Sequence, residues 1–339
     1  MKLSTPRWWY SRDRSARRGG MPMIRVLLTP ISWIWASVTA RRIANSRPVD
    51  PGVPVICIGN LTVGGTGKTP VVRALAARLA TRGLTVHLLS RGYGGRLKGP
   101  VRVDPATHSA AEVGDEPLML ARDYPVWVSR DRAAGARAAA AAGAQVIVMD
   151  DGHQNPSVKK ALSLVVVDGE TREDEWPFGD GRVFPAGPMR EPLKVGLARA
   201  DAAILLLPAD LAAADPELAG LLSAVPVLSA HLVAVASPPS GPQVGFAGVG
   251  KPWKVERALQ AAGCDLVDFA PFPDHVGYDH SVLQRLMERA AQFSAGLVTT
   301  EKDWVRLPPK WRARVTAWPV QVAFDNVAAL DALLAKVGL

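Results

Sequence analysis

A chain of 339 residues, 48% of them hydrophobic, is long enough for one large or two ordinary globular domains with ample core. Its formal net charge of +9 would suit a nucleic-acid partner, but residues 1–49 carry the whole excess: ten bases (Lys2, Arg7, Arg12, Arg14, Arg17, Arg18, Arg25, Arg41, Arg42, Arg47) stand there against Asp13 alone. The rest of the chain balances 30 bases against 30 acids, which excludes a nucleic-acid surface on the body and leaves a local, N-terminal basic surface.

The N-terminal segment adds Trp8, Trp9, Tyr10, Trp33 and Trp35 to those bases, and holds a charge-free apolar run of 15 residues from Val26 to Ala40. A bilayer span needs roughly 18 to 20 residues, and Pro30 interrupts this run. With Thr29 as N-cap and Pro30 at the first helical position, a helix is predicted to begin there, Ile31, Ile34, Trp35 and Val38 forming its apolar side and Ser32 and Thr39 lying opposite. Such a helix, edged by arginine and tryptophan, suits a membrane interface with anionic head groups. Two rival readings are a signal peptide cut after Val38-Thr39-Ala40 and a core helix with a disordered basic tail; the phosphate loop that follows needs cytosolic nucleotide and argues against export.

Val53, Val55, Ile56 and Ile58 predict a strand, and Val71, Val72, Leu75, Ala76 and Leu79 a helix. Between them runs GNLTVGGTGKTP, Gly59 to Pro70, a strand–loop–helix phosphate cradle formed by Thr62, Val63, Gly64, Gly65, Thr66 and Gly67. Lys68 is placed to reach the β- and γ-phosphates and Thr69 to bind Mg2+. The strict pattern wants glycine at the position of Thr62; Gly64 and Gly65 serve instead. Cys57, in this strand, and Cys264 form no C-x-x-C and read as small buried residues of a reducing compartment.

Val86 to Leu89 is a second strand ending in SRGYGGR, Ser90 to Arg96, where exposed Arg91 and Tyr93 suit binding as well as a simple turn. Gly114-Asp115-Glu116-Pro117 opens a helical pattern, its acids favoured by the helix dipole. After a strand at Val126 to Val128, the alanine-rich helix Arg130 to Ala142 is expected only to pack. QVIVMDDGHQ, Gln145 to Gln154, then delivers Asp150 and Asp151 at the end of a buried strand, where adjacent carboxylates call for a cation opposite the loop. Strands follow at Leu164 to Val167 and Ala203 to Leu207. Between them the loop Gly179 to Pro192, GDGRVFPAGPMREP, presents Arg182, Arg190 and Glu191 to a substrate.

Alternating strands and helices predict a P-loop-type, doubly wound parallel sheet over residues 50–236. SPPSGPQ, Ser237 to Gln243, is the linker, and strands at Val244 to Ala247, Leu266 to Phe269, Leu297 to Thr299 and Val320 to Phe324, with helices between, predict a second, smaller α/β domain over 237–339. GVGKP, Gly248 to Pro252, reads as a strand-to-helix turn, since no Ser or Thr follows the lysine. His275 sits in Pro273-Asp274-His275, where closure of the two units could bring it to the phosphate site, and Thr299 to Asp303, TTEKD, is a further polar strand end.

Taken in order, GNLTVGGTGKTP, SRGYGG, GDEP, DDGHQ, PAGPMREP, FAGVGKP, FPDH and TTEKD resemble the tetraacyldisaccharide 4′-kinases over about residues 55–305. Thr62 is usual in that family; DDGHQN departs from it, since phenylalanine and histidine are commoner at the positions of His153 and Asn155. The resemblance implies transfer of the γ-phosphate of ATP to the 4′-hydroxyl of a tetraacylated disaccharide 1-phosphate at the cytoplasmic face of the bacterial inner membrane. It implies that Lys68 stabilises the phosphates, that Thr69, Asp150 and Asp151 hold Mg2+ with Glu191 assisting, and that Asp115 and His275 form the base. Arg91, Tyr93 and Arg190 become contacts to the lipid. An acylated substrate resists leaving the bilayer, at about 0.8 kcal/mol per exposed methylene, so the N-terminal segment is expected to take the enzyme to the membrane. No feature demands a protein partner. The rival functions are a membrane-tethered ATPase or nucleotide switch, which would need neither Asp115 nor His275, and a soluble kinase of a small metabolite, which would not need residues 1–49.

Overall fold

The computed structural model describes residues 6–10, 22–172 and 174–339. The sequence readings on Lys2, Arg12, Asp13, Arg14, Arg17 and Arg18 fall outside those residues.

Helix α1 spans Pro22–Ala44, so it begins well before Thr29, and Pro30 lies inside it. An interior proline removes one backbone donor. One residue earlier the Thr29 hydroxyl donates to the Arg25 carbonyl, and the helix runs on to Ala44. Arg25, Ser32 and Thr39, two turns apart, are buried, whereas Ile24, Leu27, Ile31, Trp33, Ile34 and Val38 are exposed. The polar stripe faces the body and the apolar side faces away, as the expected split between Ile31, Ile34, Trp35, Val38 and Ser32, Thr39 requires. Among the described residues no helix is long and apolar enough to cross a membrane.

The elements that follow in chain order are β1 (Val55–Gly59), α2 (Lys68–Ala80), β2 (Val86–Ser90), β3 (Val101–Arg102), α3 (Ala110–Val113), α4 (Asp115–Leu120), β4 (Val126–Val128), α5 (Arg132–Ala141), β5 (Val146–Asp150), β6 (Leu162–Asp168), α6 (Leu193–Leu197), β7 (Ala202–Pro208), α7 (Pro216–Leu221) and β8 (Val227–Ala234). Then come β9 (Gln243–Ala247), α8 (Pro252–Ala261), β10 (Leu266–Pro271), α9 (His280–Gln292), β11 (Gly296–Thr300), α10 (Glu301–Trp304), α11 (Pro309–Arg312), β12 (Thr316–Trp318), β13 (Val320–Phe324) and α12 (Val327–Ala335).

Among the described residues, nine strands form one sheet in the order β13-β8-β7-β6-β1-β5-β2-β4-β3, parallel except for its two edge strands. Alternation along β6 shows why it is covered on both faces. Leu164 and Val166 join a core with Ile58, Leu75 and Leu206, while Val165 and Val167 join another with Trp176, Phe178 and Met189. β1 lies between β6 and β5, so the ends of β1 and β5 stand side by side, with Ile58 opposite Asp150.

A second, fully parallel sheet, β10-β9-β11-β12, packs around Phe246, Tyr278, Leu283, Leu286 and Trp311. It ends earlier than the sequence reading placed it. Val320 to Phe324 pairs antiparallel with β8 in the large sheet, and Leu330, Leu333 and Leu334 of α12 enter the large core beside Leu75. Residues 320–339 therefore return to the first unit, because β8 needs a partner on its outer edge and α12 covers α2 through Arg78 and Asp331. The sequence reading has no strand at β8, since Ser229 and His231 break the apolar continuity that β6 and β7 have.

Candidate active site

Between β1 and α2 the chain makes a glycine loop over the end of the large sheet. Gly67 takes a left-handed backbone (φ 78°), and a side chain there would run into Leu206. No acid sits in the first turn of α2, and its N-cap has no side-chain partner, so its first N–H groups face outward for an anion. Thr69 is buried in that turn. Thr62 and Val63 form the wall of the loop: Val63 N–H donates to the Pro188 carbonyl at 2.8 Å, and the Val63 carbonyl accepts from Tyr10. Gly64 to Thr69 is the stretch left to hold phosphate. The GVGKP segment is the turn into α8 that the sequence predicted, but it sits on this loop, Gly250 packing against Gly65.

Asp150 and Asp151 end β5 beside the loop. Asp150 is buried, and its Oδ1 has no hydrogen-bond partner. Burial pushes its carboxyl up, Glu116 adds to this, and Lys68 opposes it. Asp151, in a left-handed conformation (φ 51°), accepts from Arg190 Nη1 at 2.7 Å and lies 3.5 Å from Lys68 Nζ. Burial would raise it too, but Lys68 and Arg190 outweigh that and hold it far below the carboxylate range. An orphaned buried carboxylate oxygen beside the phosphate loop, with a buried threonine in the loop's first helical turn, fits a Mg2+ and could hold one.

Glu191 does not join it: both its oxygens accept from Arg199 at 2.7 Å, and Gln154 donates to it at 2.9 Å. Among the described residues no three His, Cys, Asp or Glu side chains converge as a metal cage. Arg190 is likewise turned inward, onto Asp151 and, at 3.0 Å, the Thr62 carbonyl. Arg182 pairs with Asp180 at 3.6 Å. The expectation that α5 only packs is also too narrow. Arg132, buried in its first turn, donates to the Asp150 carbonyl at 3.1 Å and to Ser129 at 3.0 Å. The signal was its place just after a parallel strand's carboxyl end, where α/β sheets build their sites. His153 is a core residue whose ring nitrogens lie 2.9 Å from Ser163 Oγ and the Gly196 carbonyl, and burial lowers it to about 4.

Opposite this pair the two units meet. Asp115, first residue of α4, is buried and accepts from His275 Nδ1 at 2.9 Å. His275 lies in the loop after β10 with φ 57°. An ionised carboxylate fixes the proton on Nδ1 and leaves Nε2 as the basic nitrogen. Tyr93, exposed at the end of β2, sets its ring 5.2 Å from the imidazole, and Arg91 is exposed beside it. Further ion pairs cross the same seam: Lys302 to Glu116 at 3.0 Å, Arg73 to Glu301 at 2.8 Å and Lys251 to Asp168 at 2.9 Å.

The family model for tetraacyldisaccharide-1-P 4′-kinase matches residues 24–338. A tetraacyldisaccharide 4′-kinase of Phenylobacterium zucineum is 72% identical over 334 residues, 98% of this chain and 99% of that protein. One from Caulobacter sp. strain K31 is 67% identical over the whole of both chains. The crystal structure of LpxK from Aquifex aeolicus in complex with ATP superposes with a TM-score of 0.71 at 26% identity, covering 93% of this chain and 99% of that one. By the family match over residues 24–338 and by these relatives, the chain belongs to the tetraacyldisaccharide-1-P 4′-kinase family.

Proposed function

We propose that this chain transfers the γ-phosphate of ATP to the 4′-hydroxyl of a tetraacyldisaccharide 1-phosphate, a step of lipid A biosynthesis, at the cytoplasmic face of the inner membrane. The observation that carries the reading is the Asp115–His275 pair, built from two units and next to Asp274, whose carboxylate and Gly65 of the phosphate loop both stand close to Gly250. Residues 64–69 would hold the phosphates, and Lys68 would neutralise their charge. Thr69, Asp150 and Asp151 would hold Mg2+, and Glu191 acts from behind by fixing Gln154 and Arg199. Bound ATP and Mg2+ supply the phosphoryl group and neutralise its developing charge. Asp115 aims the imidazole, and His275 Nε2 takes the proton of the sugar hydroxyl as its oxygen bonds to phosphorus and the bond to the β,γ-bridging oxygen breaks. Arg91 and Tyr93 are exposed where the disaccharide would enter.

The outward apolar side of α1 carries the membrane reading. Residues 1–49 form the attachment, residues 50–236 with the returning strand and helix form the kinase body, and the second sheet carries the base. The units close further on substrate, and identical scattering profiles with and without a non-hydrolysable ATP analogue plus lipid would sink that point. Transfer of labelled γ-phosphate to lipid in detergent micelles tests the activity, comparing wild type with Asp115→Ala and His275→Ala. Labelled lipid with wild type and strong loss in both variants is expected; ATP hydrolysis indifferent to both, with no labelled lipid, would indicate a tethered ATPase. Ile31→Glu with Ile34→Glu should release the protein from anionic vesicles in flotation, and unchanged flotation would count against attachment through α1.

A further inference from the structure

The geometry points to Arg306 as a positioning residue for proton transfer: it shares one oxygen of Asp115 with His275 and clamps the turn that presents the imidazole. The inference rests on the reading of Asp115 and His275 as the base.

Arg306 follows the TTEKD strand end, a motif to which the phosphate chemistry gives no task. Its side chain is buried, and its Nε lies 3.5 Å from Asp115 Oδ2, the same oxygen that accepts from His275 Nδ1. Its Nη1 donates to the carbonyl of Val276, the residue after His275, at 3.1 Å. Its Nη2 donates to the Gly248 carbonyl at 2.8 Å and to Asp303 Oδ1 at 2.6 Å. Asp303, itself fully buried, is held by Gly248 N–H at 2.9 Å, by the Tyr278 hydroxyl at 2.6 Å and by the Thr300 hydroxyl at 2.6 Å. A pairing with Asp303 alone would satisfy the charge. The Arg306 Nε–H goes to the Lys302 carbonyl at 3.1 Å, so the fork ties three segments of the second unit together, as a planar five-donor guanidinium can and an ammonium cannot, while its charge reaches Asp115 across the seam.

Two consequences follow. His275 is not a glycine, yet it sits in the left-handed region, a conformation that persists only where neighbours fix it. The bond to the Val276 carbonyl fixes it. The second consequence is electrostatic. The charged groups around the pair are Lys302, which binds Glu116 and, at 3.4 Å, Asp274; Asp274, 3.6 Å from His275 Nε2; and Arg306, with the Tyr93 ring beside the imidazole. Burial alone would raise Asp115. The hydrogen bond from His275 and the charges of Lys302, His275 and Arg306 overcome that and hold it down to about 2. Arg306 thus helps to keep Asp115 the anion that accepts from Nδ1 and aims the ring.

The test is steady-state transfer to the micellar lipid acceptor, with Arg306→Gln, Arg306→Lys, Asp115→Ala and His275→Ala. Arg306→Gln should lower kcat about 10- to 100-fold through misplacement of the imidazole, leaving KM for ATP within about twofold. Arg306→Lys keeps the charge and loses the fork, so kcat should fall about 10-fold, again with KM for ATP within about twofold. Wild-type kcat in Arg306→Lys, or a KM for ATP that rises in step with the fall in kcat, would overturn the inference, and the lysine variant keeps it testable should the glutamine variant fail to fold. Full transfer by His275→Ala would overturn the base reading itself, whereas loss there beside normal Arg306 variants would overturn only this one.

Discussion

The two halves of the cleft are made in opposite ways. The phosphate half comes from neighbouring strands of one sheet: a loop of successive residues after β1 and two successive aspartates after β5. The base half joins side chains 160 residues apart, one from each unit, and is held by ion pairs that cross the seam. A half that one sheet preorganises should bind its ligand whatever the other unit does. A half that exists only across a seam should be lost whenever the seam is disturbed.

The largest expected effect separates the two. His275→Ala should lower kcat by about two to four orders of magnitude while the affinity for a fluorescent ATP analogue stays put. Parallel loss of nucleotide binding would break the distinction. Asp150→Asn removes the orphaned carboxylate and should raise the Mg2+ concentration for half-maximal activity about 10- to 100-fold, leaving the thermal stability of the metal-free protein unharmed or improved. An unchanged Mg2+ requirement would take Asp150 out of the phosphate half.

Next is a pH effect on stability. The folded-state carboxyl of Asp115 is lowered from 3.8 to about 2, so its contribution is present above the unfolded value and is lost as pH falls through that window. Denaturant titrations should show Asp115→Asn about 2 kcal/mol less stable than wild type at neutral pH, the gap closing toward the acid end. A gap independent of pH would mean that packing, and not charge, holds the seam there. The smallest effect belongs to Arg73 and Glu301, whose side chains are partly exposed; a double-mutant cycle should give a coupling of about 0.5 kcal/mol, with nucleotide affinity unaltered.

The same contrast decides what could be read from the residues. The phosphate half was legible because strand, loop and helix are consecutive, and Asp150 and Asp151 announce themselves at the end of an apolar run. The base half was legible only by resemblance, since no periodicity links Asp115 to His275. Contacts made by single arginines left no trace at all: Arg132 on the Asp150 carbonyl, Arg199 on both oxygens of Glu191 and Arg306 beside Asp115 are ordinary arginines in the sequence. In the fold, the parallel strands were legible, whereas β8 was hidden by its polar residues and β13 was credited to the wrong sheet, because edge pairing depends on tertiary context. Pro30 misled in the opposite direction, as a start signal overruled by packing.

Helix α1 is also masonry. The Ser32 hydroxyl accepts from Ala186 N–H, the Trp35 indole donates to the Arg190 carbonyl and Arg42 donates to the Gln154 carbonyl. The loop that Ser32 and Trp35 hold is the one that binds the phosphate loop on its other side. Cutting the helix away for solubility would therefore take part of the wall with it. On the proposed attachment, the catalytic floor would stand at a fixed height above the surface on which α1 rests, and an acceptor with long acyl chains would have to rise by that height, whereas a short-chain acceptor free in water would be indifferent to it.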